Sequence, residues 1–320
     1  MQMPTFAGVL EARRRIAPYL PRTPLFPYPQ LDRVVGTSVG VKHENHQPVG
    51  AFKVRGGVNL VSRLGADERK RGVVAASTGN HGQSVAYAAR MFGVTARIFV
   101  PESANPSKVQ AMEDLGAEVV FHGSDFDDAR EEAARAGAAT GQRYIHSGNE
   151  PHLIEGVGTY ALEVFEDAPD VDVIIVPVGG GSGAAGVCLV GKTISPTTQV
   201  IGVQAEAAPA AYLSWKSRSL VEDSMNTTAE GLATRTAFEL PQQILWDHLD
   251  DFVLVSEDEL WAATRTMIDS TRNLVEAAGA ASLAAAIKIK RRLAGRRVVL
   301  VCSGGNISPH QIAQLYAASP

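Results

Sequence analysis

The chain has 320 residues, of which 45% are hydrophobic and 20% are charged, and its formal net charge is −4. This length and composition suit either two modest domains or one large α/β unit with a buried core. The weakly negative charge gives no indication of a nucleic acid or an anionic membrane surface as a partner.

Short runs rich in β-branched residues alternate with amphipathic, alanine-rich stretches along most of the chain. In chain order, strands are predicted at residues 38–42, 73–77, 96–100, 118–121, 173–178, 199–204, 251–255 and 297–302. Helices are predicted at residues 52–62, 81–91, 106–115, 126–139, 156–165, 183–192, 257–273, 281–293 and 309–318. This alternation indicates an α/β fold of open, mainly parallel twisted sheets with flanking helices.

One segment has the pattern of a compact α/β unit of its own. Its helices are short and are joined by glycine turns at Gly93 and Gly116. We predict that residues 71–145 form a small domain, inserted in a larger domain that residues 1–70 and 146–320 build together. Ligands of open parallel sheets bind at the carboxyl ends of the strands, where this chain has glycine- and serine-rich turns.

The cysteines and the N-terminus indicate a cytoplasmic protein. Cys188 and Cys302 are far apart and lack CxxC spacing, so both are expected to be free thiols. The first residues carry charges where a signal peptide would have an apolar segment. The longest apolar runs have the length of strands, so no membrane span is expected.

The first motif that carries chemistry is a lysine behind a glycine turn. Pro48 and Gly50 form the turn, and a helix begins near Phe52 and Lys53. A lysine held at a pocket wall beside an aromatic ring loses hydration, which lowers its pKa as Schiff-base chemistry requires. The motif alone is equally typical of an exposed lysine at a helix start.

The second motif follows the strand at residues 73–77. It reads Ser77-Thr78-Gly79-Asn80-His81 and opens a helix, whose free main-chain N–H groups can bind a carboxylate or a phosphate. Two hydroxyls, an amide and an imidazole exceed what a helix cap needs. A carboxylate-binding turn and a plain cap both remain compatible with this motif.

The third motif is the glycine run Gly179-Gly180-Gly181-Ser182-Gly183, between a buried strand and an alanine-rich helix. Consecutive glycines allow main-chain N–H groups to converge on an anion at the start of a helix. This run is the clearest candidate for a phosphate site in the chain.

The same run has a competing interpretation. Gly181, Gly183 and Gly186 match the dinucleotide fingerprint GxGxxG, and Glu206 follows the next strand, where an acid that binds ribose would lie. A nicotinamide-dependent oxidoreductase is therefore an alternative. It leaves the other motifs unexplained.

The fourth motif is Ser303 at the end of the last strand, within CSGGN. By itself it is typical of an ordinary turn between a strand and a helix. One ligand would use all four motifs: pyridoxal phosphate (PLP) with an amino-acid substrate. It needs a lysine, a phosphate site, a carboxylate site and a partner for its ring nitrogen.

The segments GAFKVRGG, STGNHGQ, VPVGGGSG and CSGGN, in this order, resemble the fold-type-II PLP enzymes, above all the threonine/serine dehydratase and serine racemase group. The resemblance extends from Thr23 to Asn306. It implies a tryptophan synthase β-like fold with two sheets and a homodimer. It also implies β-elimination of water from a small β-hydroxy amino acid, such as L-threonine or L-serine, to give a 2-oxo acid and ammonia.

The resemblance also implies a role for each candidate site residue. Lys53 would hold PLP as a Schiff base and later move the Cα proton, with Phe52 against the ring. Asn80 would bind the ring hydroxyl, and Ser303 would face the ring nitrogen. The phosphate would be held by Gly179, Gly180, Gly181, Ser182 and Gly183. The substrate carboxylate would be framed by Ser77, Thr78, Gly79 and His81. Thr78 is also a catalytic candidate, because it matches the serine on the far face of the cofactor in racemases.

Several positions depart from the usual dehydratase pattern and leave the substrate open. Residues 146–151 (HSGNEP) and 156–159 (GVGT) replace the family's usual segments near the substrate side chain. These variants resemble a dehydratase subgroup linked to hydroxyectoine breakdown, so a larger hydroxy amino acid is an alternative. Racemisation of serine or hydroxyaspartate is another. Glu206 lacks the second acid of metal-binding relatives, so no metal site is expected.

Overall fold

Two β-sheets organise the chain, for which a computed structural model describes residues 2–317. The strands are β1 (Leu25–Pro27), β2 (Ser38–His43), β3 (Val73–Ala76), β4 (Ala96–Val100), β5 (Glu118–Phe121), β6 (Arg143–Tyr144), β7 (Val173–Pro177), β8 (Gln199–Ala205), β9 (Asp251–Val255) and β10 (Arg297–Cys302).

The helices lie on both faces of the sheets. They are α1 (Phe6–Ile16), α2 (Pro29–Val35), α3 (Lys53–Ser62), α4 (Ala66–Arg71), α5 (Asn80–Met91), α6 (Pro106–Asp114), α7 (Phe126–Thr140), α8 (Pro151–Asp167), α9 (Ser182–Ile194), α10 (Ala210–Ser217), α11 (Glu239–His248), α12 (Glu257–Thr271), α13 (Ala277–Lys288), α14 (Lys290–Leu293) and α15 (Pro309–Ala317). Between residues 2 and 317, none of them combines the length and the apolar character that crossing a membrane requires.

The larger sheet has the strand order β1-β2-β10-β7-β8-β9. Its strands run parallel, except that β1 pairs antiparallel with β2. In the middle of this sheet, Val299 on β10 lies between Gly40 on β2 and Ile174 on β7. The central strands are almost entirely buried, because helices cover both faces of a parallel sheet.

The smaller sheet has the order β5-β4-β3-β6, with parallel strands throughout. All of its strands come from residues 73–144, inside the segment predicted as a small domain. The larger sheet takes β1 and β2 from before that segment and its remaining strands from after it. The α/β class with two mainly parallel sheets is thus confirmed.

Every strand predicted from the sequence is present, with bounds that differ by at most one residue. Two short strands, β1 and β6, were not predicted, nor were helices α1, α2, α4, α10 and α11. Helix α4 reads ADERKR and buries no residue, so it has no apolar periodicity to detect.

Two predicted helix starts differ from the structure by more than two residues. Helix α8 begins at Pro151, five residues before the predicted start at 156, because proline is well suited to the first helical turn. The predicted helix 281–293 begins at Ala277 and is divided at Ile289 into α13 and α14. The predicted end of the last helix, Ala318, lies outside the described residues.

A buried ion cluster ties the start of α3 to the larger sheet and to α8. The Arg55 guanidinium, 1% exposed, binds Glu44 at 2.7 Å and Glu163 at 2.7 Å. The Lys42 amine on β2 binds the second oxygen of Glu163 at 2.6 Å. Burial alone would raise the pKa of the Glu163 carboxyl, but Arg55 and Lys42 hold that pKa below its usual value. The cluster is charge-balanced, which is the condition for burying ions.

Replacing Arg55 with leucine should therefore destabilise the fold by about 3–5 kcal/mol, because Glu44 and Glu163 would be left as poorly compensated buried charges. Urea unfolding measures the loss. The matched control is Arg292→Leu, which removes the half-exposed ion pair with Asp251 and should cost less than about 1 kcal/mol. Equal losses in the two variants would contradict the assigned role of the cluster.

Three histidines are held as neutral rings. Burial lowers the pKa of His43 to about 4, that of His81 to about 3 and that of His146 to about 4. His43 is fully buried, and its Nε2 lies 2.8 Å from the Tyr28 hydroxyl. A histidine with a lowered pKa binds fewer protons folded than unfolded, so it supports folding above about pH 6.5 and loses that contribution as the pH falls towards 4.

The variant His43→Gln should accordingly show a weaker dependence of unfolding free energy on pH than the wild type. Between about pH 6.5 and 4.5 the difference in slope should approach about 1.4 kcal/mol per pH unit, the value for one proton. Urea unfolding at several pH values gives both slopes. Identical slopes would mean that His43 is not held neutral in the folded chain.

Candidate active site

The carboxyl ends of β3, β7 and β10 open into one cavity of about 970 Å³. Residues from both sheets line it. Every site residue predicted from the sequence is among them: Phe52, Lys53, Ser77, Thr78, Gly79, Asn80, His81, Gly179, Gly180, Gly181, Ser182, Gly183 and Ser303. The fold therefore brings the four motifs together, although they are far apart in the chain.

Lys53 is the first residue of α3 and carries a weakly hydrated amine. Its Nζ donates to the main-chain oxygen of Ser147 at 3.0 Å and to the Ser182 hydroxyl at 2.9 Å. The Phe52 ring centre lies 5.4 Å from the amine. Burial lowers the pKa of Lys53 to about 8. A larger fraction of this amine is neutral near pH 7 than for an exposed lysine, so it can act as a nucleophile or a base.

The glycine run after β7 is packed so closely that side chains would not fit. A Cβ at Gly179 would lie 2.2 Å from the main-chain oxygen of Gly231, and one at Gly180 would lie 2.2 Å from the Phe238 ring. Gly181 has φ of +84°, a conformation that favours glycine. The glycines thus let the loop lie against Phe238 and Gly231, with its main chain facing the cavity.

This loop leaves main-chain N–H groups available at the start of α9. The first helical hydrogen bond runs from Ala185 N to Gly181 O at 2.9 Å. Within the described part of the chain, the N–H groups of residues 179–183 have no protein acceptor. Free N–H groups at a helix start attract anions, so this loop can hold a phosphate.

A second helix start, that of α5, faces the same cavity. Ser77 Oγ accepts from Gly79 N at 3.0 Å and shapes the turn. The first helical bond of α5 runs from Gln83 N to Gly79 O at 3.1 Å, which leaves the N–H groups of residues 80–82 outside the helical pattern. Thr78, half-buried, lines the cavity at this turn. The turn can therefore hold a second anion.

His81 contributes its main chain to this turn more than its ring. Its Nε2 donates to the Ile145 carbonyl oxygen at 3.2 Å. Burial and the nearby Lys53 amine lower the pKa of His81 to about 3, so the ring is neutral. With its one N–H used by Ile145, the ring has no donor left for a ligand, and its Nδ1 is buried without a hydrogen-bond partner among the described residues.

Asn80 is held by two partners, of which sequence reasoning missed Glu276. Asn80 Oδ1 accepts from Asn306 Nδ2 at 2.7 Å, and Asn80 Nδ2 donates to Glu276 Oε1 at 2.6 Å. One N–H of the Asn80 amide remains for a ligand. Glu276 is 7% exposed, at the start of an alanine-rich helix. A lone acid in such an apolar stretch was the available signal.

Ser303 follows β10 and is 7% exposed. Its hydroxyl lies 3.3 Å from the Ala278 carbonyl oxygen, a long contact that leaves the hydroxyl proton free to rotate. The group is neutral and can either donate to or accept from a ring nitrogen.

The turn at residues 146–149 positions the oxygen that receives the Lys53 amine. His146 Nδ1 accepts from the N–H groups of Gly148 and Asn149, both at 3.0 Å. Its ring packs edge-on against Phe238, with 4.7 Å between ring centres. The sequence showed that this segment departs from the usual dehydratase pattern but did not reveal that the main-chain oxygen of Ser147 binds Lys53.

Ion pairs beside this cavity join the segment 71–145 to the rest of the chain. Lys108 on α6 binds Glu230 at 2.6 Å, and Arg235 binds Asp125 at 2.6 Å. Lys108, Glu230 and Asp125 also line the cavity. These residues were not predicted, because nothing local distinguishes them from exposed charges.

The acid proposed for a dinucleotide site is not in this cavity. Glu206 follows β8 and pairs with Lys288 at 3.0 Å. Among residues 2–317, no group of three or more His, Cys, Asp or Glu side chains is arranged to hold a metal ion.

The groups that line the cavity fit pyridoxal phosphate. Lys53 supplies a weakly hydrated amine for the aldehyde, and the glycine loop supplies unpaired N–H groups for the phosphate. Asn80 retains a donor for the ring hydroxyl, and the Ser303 hydroxyl can reorient towards the ring nitrogen. The phosphate would not require a cationic side chain in the glycine loop, and no side chain of the loop would block its position.

Comparison with known proteins agrees with this fit. A family model described as pyridoxal-phosphate dependent enzyme matches residues 16–304. The L-threonine ammonia-lyase of Thermotoga maritima is 39% identical over 314 residues, 98% of this chain and 78% of the relative. The catabolic L-threonine dehydratase of Escherichia coli is 35% identical over 310 residues, 96% and 94% of the two chains. The structure of maize serine racemase, 31% identical, superimposes with a TM-score of 0.93 over 98% of this chain and 97% of its own.

The matched residues contain all four motifs except the last residues of the fourth, and they include both helix starts that face the cavity. The match therefore favours pyridoxal phosphate over a nicotinamide cofactor. The chain belongs to the family of pyridoxal-phosphate dependent enzymes.

Proposed function

We propose that this enzyme is an ammonia-lyase that converts a β-hydroxy amino acid, such as L-threonine or L-serine, to a 2-oxo acid and ammonia. The observation that carries the proposal is a lysine amine in one cavity with two unpaired helix starts, those of α5 and α9. A substrate carboxylate and a cofactor phosphate need one anion site each. The relatives named as threonine ammonia-lyase and threonine dehydratase support the reaction type.

The cofactor would be held by Lys53, by the N–H groups of residues 179–183, by Asn80 and by Ser303, with Phe52 beside the ring. Bound PLP supplies the electron-withdrawing ring that makes the Cα proton of an amino acid acidic. Ser303 tunes this effect, because a neutral hydroxyl cannot stabilise a protonated ring nitrogen as a carboxylate would. Weaker withdrawal of electrons by the ring favours prompt loss of a β-hydroxyl over transamination.

The substrate carboxylate would lie at the start of α5, against Ser77, Thr78, Gly79 and the main chain of His81. The Lys53 amine, with its pKa near 8, is the base that takes the Cα proton. Positioned proton transfer of this kind contributes roughly 10²–10⁴-fold in rate. The Cα proton and the β-hydroxide leave as water, the resulting enamine becomes an imine by moving a proton to Cβ, and hydrolysis of the C=N bond takes up one water and releases ammonia. Thr78 is the hydroxyl that racemisation would need on the opposite face.

We further propose that the enzyme works as a homodimer in the cytoplasm. Cys188 and Cys302 are buried thiols, which suits a reducing compartment. The edge strand β1 exposes Phe26, and Leu274 is 56% exposed, so apolar surface is available for a second copy.

The central test is release of a 2-oxo acid from L-threonine and L-serine by the purified protein with PLP. Lys53→Ala should lower turnover by at least about 10³-fold while thermal unfolding stays cooperative, since the amine serves both attachment and proton transfer. Lys70→Ala, an exposed lysine on α4, should leave turnover unchanged.

The enantiomer ratio of unreacted serine is measured in the same samples. Inversion that exceeds release of 2-oxo acid would replace the lyase proposal with a racemase. Full activity of Lys53→Ala would refute the assignment of the lysine.

The role of Ser303 has a separate test. Ser303→Asp should shift the visible absorption of bound PLP and slow elimination at least about tenfold, because a carboxylate stabilises a proton on the ring nitrogen. Ser303→Ala, which removes the hydroxyl without adding charge, should have the smaller effect on absorption. Wild-type spectra and rates in both variants would show that Ser303 does not face the ring nitrogen.

A further inference from the structure

We infer that Glu276 and Asn306 are positioning residues that fix the orientation of the Asn80 amide, so that it presents an N–H and not its oxygen to the bound ligand. The inference rests on the proposed cofactor site, in which Asn80 meets the ring hydroxyl. It adds two residues to which the proposed mechanism gives no role.

The orientation follows from a chain of hydrogen bonds that begins at a carbonyl group. The main-chain oxygen of Val49 can only accept, and Asn306 Nδ2 donates to it at 2.9 Å. The same Nδ2 donates to Asn80 Oδ1 at 2.7 Å. The Asn80 oxygen is therefore the acceptor at this end, and its amide nitrogen points the other way.

The hydrogen bond at the other side of the Asn80 amide independently indicates the same amide orientation. Glu276 Oε1 accepts from Asn80 Nδ2 at 2.6 Å. In its ionised form this carboxylate has no proton to donate, so an amide turned by 180° would place two oxygens against each other. Acceptors at both ends thus select one of the two amide orientations, and one N–H remains for the cavity.

Glu276 is held rigidly enough for this task. Its main-chain N–H donates to Gly304 O at 3.2 Å, and its side chain is 7% exposed at the start of α13. A Cβ at Gly304 would lie 2.3 Å from Glu276 Oε1, so the glycine gives the carboxylate its room. Burial raises the pKa of Glu276, while the charge of Lys108 works against that rise.

The orientation of the Asn80 amide determines whether the ligand meets a hydrogen-bond donor or an acceptor. A ring hydroxyl that has lost its proton is an acceptor, so an amide N–H stabilises it and an amide oxygen would repel it. Glu276 and Asn306 do not need to touch the ligand, because they act through Asn80. This makes their effect dependent on the presence of Asn80.

A double-mutant cycle on the holoenzyme tests this dependence. The readouts are the absorption maximum of bound PLP and the rate at which PLP is released. Glu276→Leu should shift the absorption and speed release about tenfold, the effect of one hydrogen bond to a charged group. Glu276→Gln should have a smaller effect, because its amide can present either atom to Asn80. In an Asn80→Ala background, the same changes at position 276 should alter release less than about twofold.

Asn306→Asp is the second, independent variant. It places an acceptor against Asn80 Oδ1, so its absorption should approach that of Asn80→Ala. The control is Glu155→Gln, a buried carboxylate on α8 that does not line the cavity, and it should leave both readouts unchanged. This control variant measures the general effect of removing a buried charge.

Equal effects of Glu276→Leu with and without Asn80 would overturn the inference, and so would wild-type absorption in Asn306→Asp. If Glu276→Leu does not fold, Glu276→Gln and Asn306→Asp decide the question. A wild-type protein that takes up no PLP would instead refute the proposed function, so the two failures are distinguishable.

Discussion

The burial of Arg55 between Glu44 and Glu163 is the constraint on which the site depends. A guanidinium without water is tolerated only where carboxylates take up its hydrogen bonds, and these come from the segment after β2 and from α8. The cluster thereby sets where α3 begins. Because Lys53 is the first residue of α3, the position of its amine follows from an ion cluster that lies outside the cavity.

Three helix starts then meet around that amine. Helix α3 presents Lys53, while α5 and α9 present unpaired N–H groups of the main chain. Groups carried by a rigid backbone lose little freedom when a ligand binds, in contrast to long side chains. Main-chain N–H groups can therefore contribute to both anion sites, and at the start of α5 they are joined by Lys108, which lies beside Gly79 in the same cavity.

Residues that pack against the lining of the cavity determine the positions of its loops. Phe238 packs against Gly180 on one side and His146 on the other, so it supports both the glycine loop and the turn that receives the Lys53 amine. Across the cavity, the pairs of Lys108 with Glu230 and of Arg235 with Asp125 connect the two sheets. The Arg235 pair is partly exposed, whereas Lys108 is buried, so the Lys108 pair is the less hydrated of the two.

The sequence by itself determined the elements whose signal is local. Buried strands of β-branched residues, and glycine turns that begin helices, can be recognised within about ten residues, so the parallel sheets and the four motifs were predictable. The tertiary structure alone decided the partners of those motifs. Asn80 and Glu276 are separated by 196 positions, and Lys108 and Glu230 by 122. An acid or a lysine looks the same in sequence whether it meets water or a buried partner, because its environment is created only when distant segments pack.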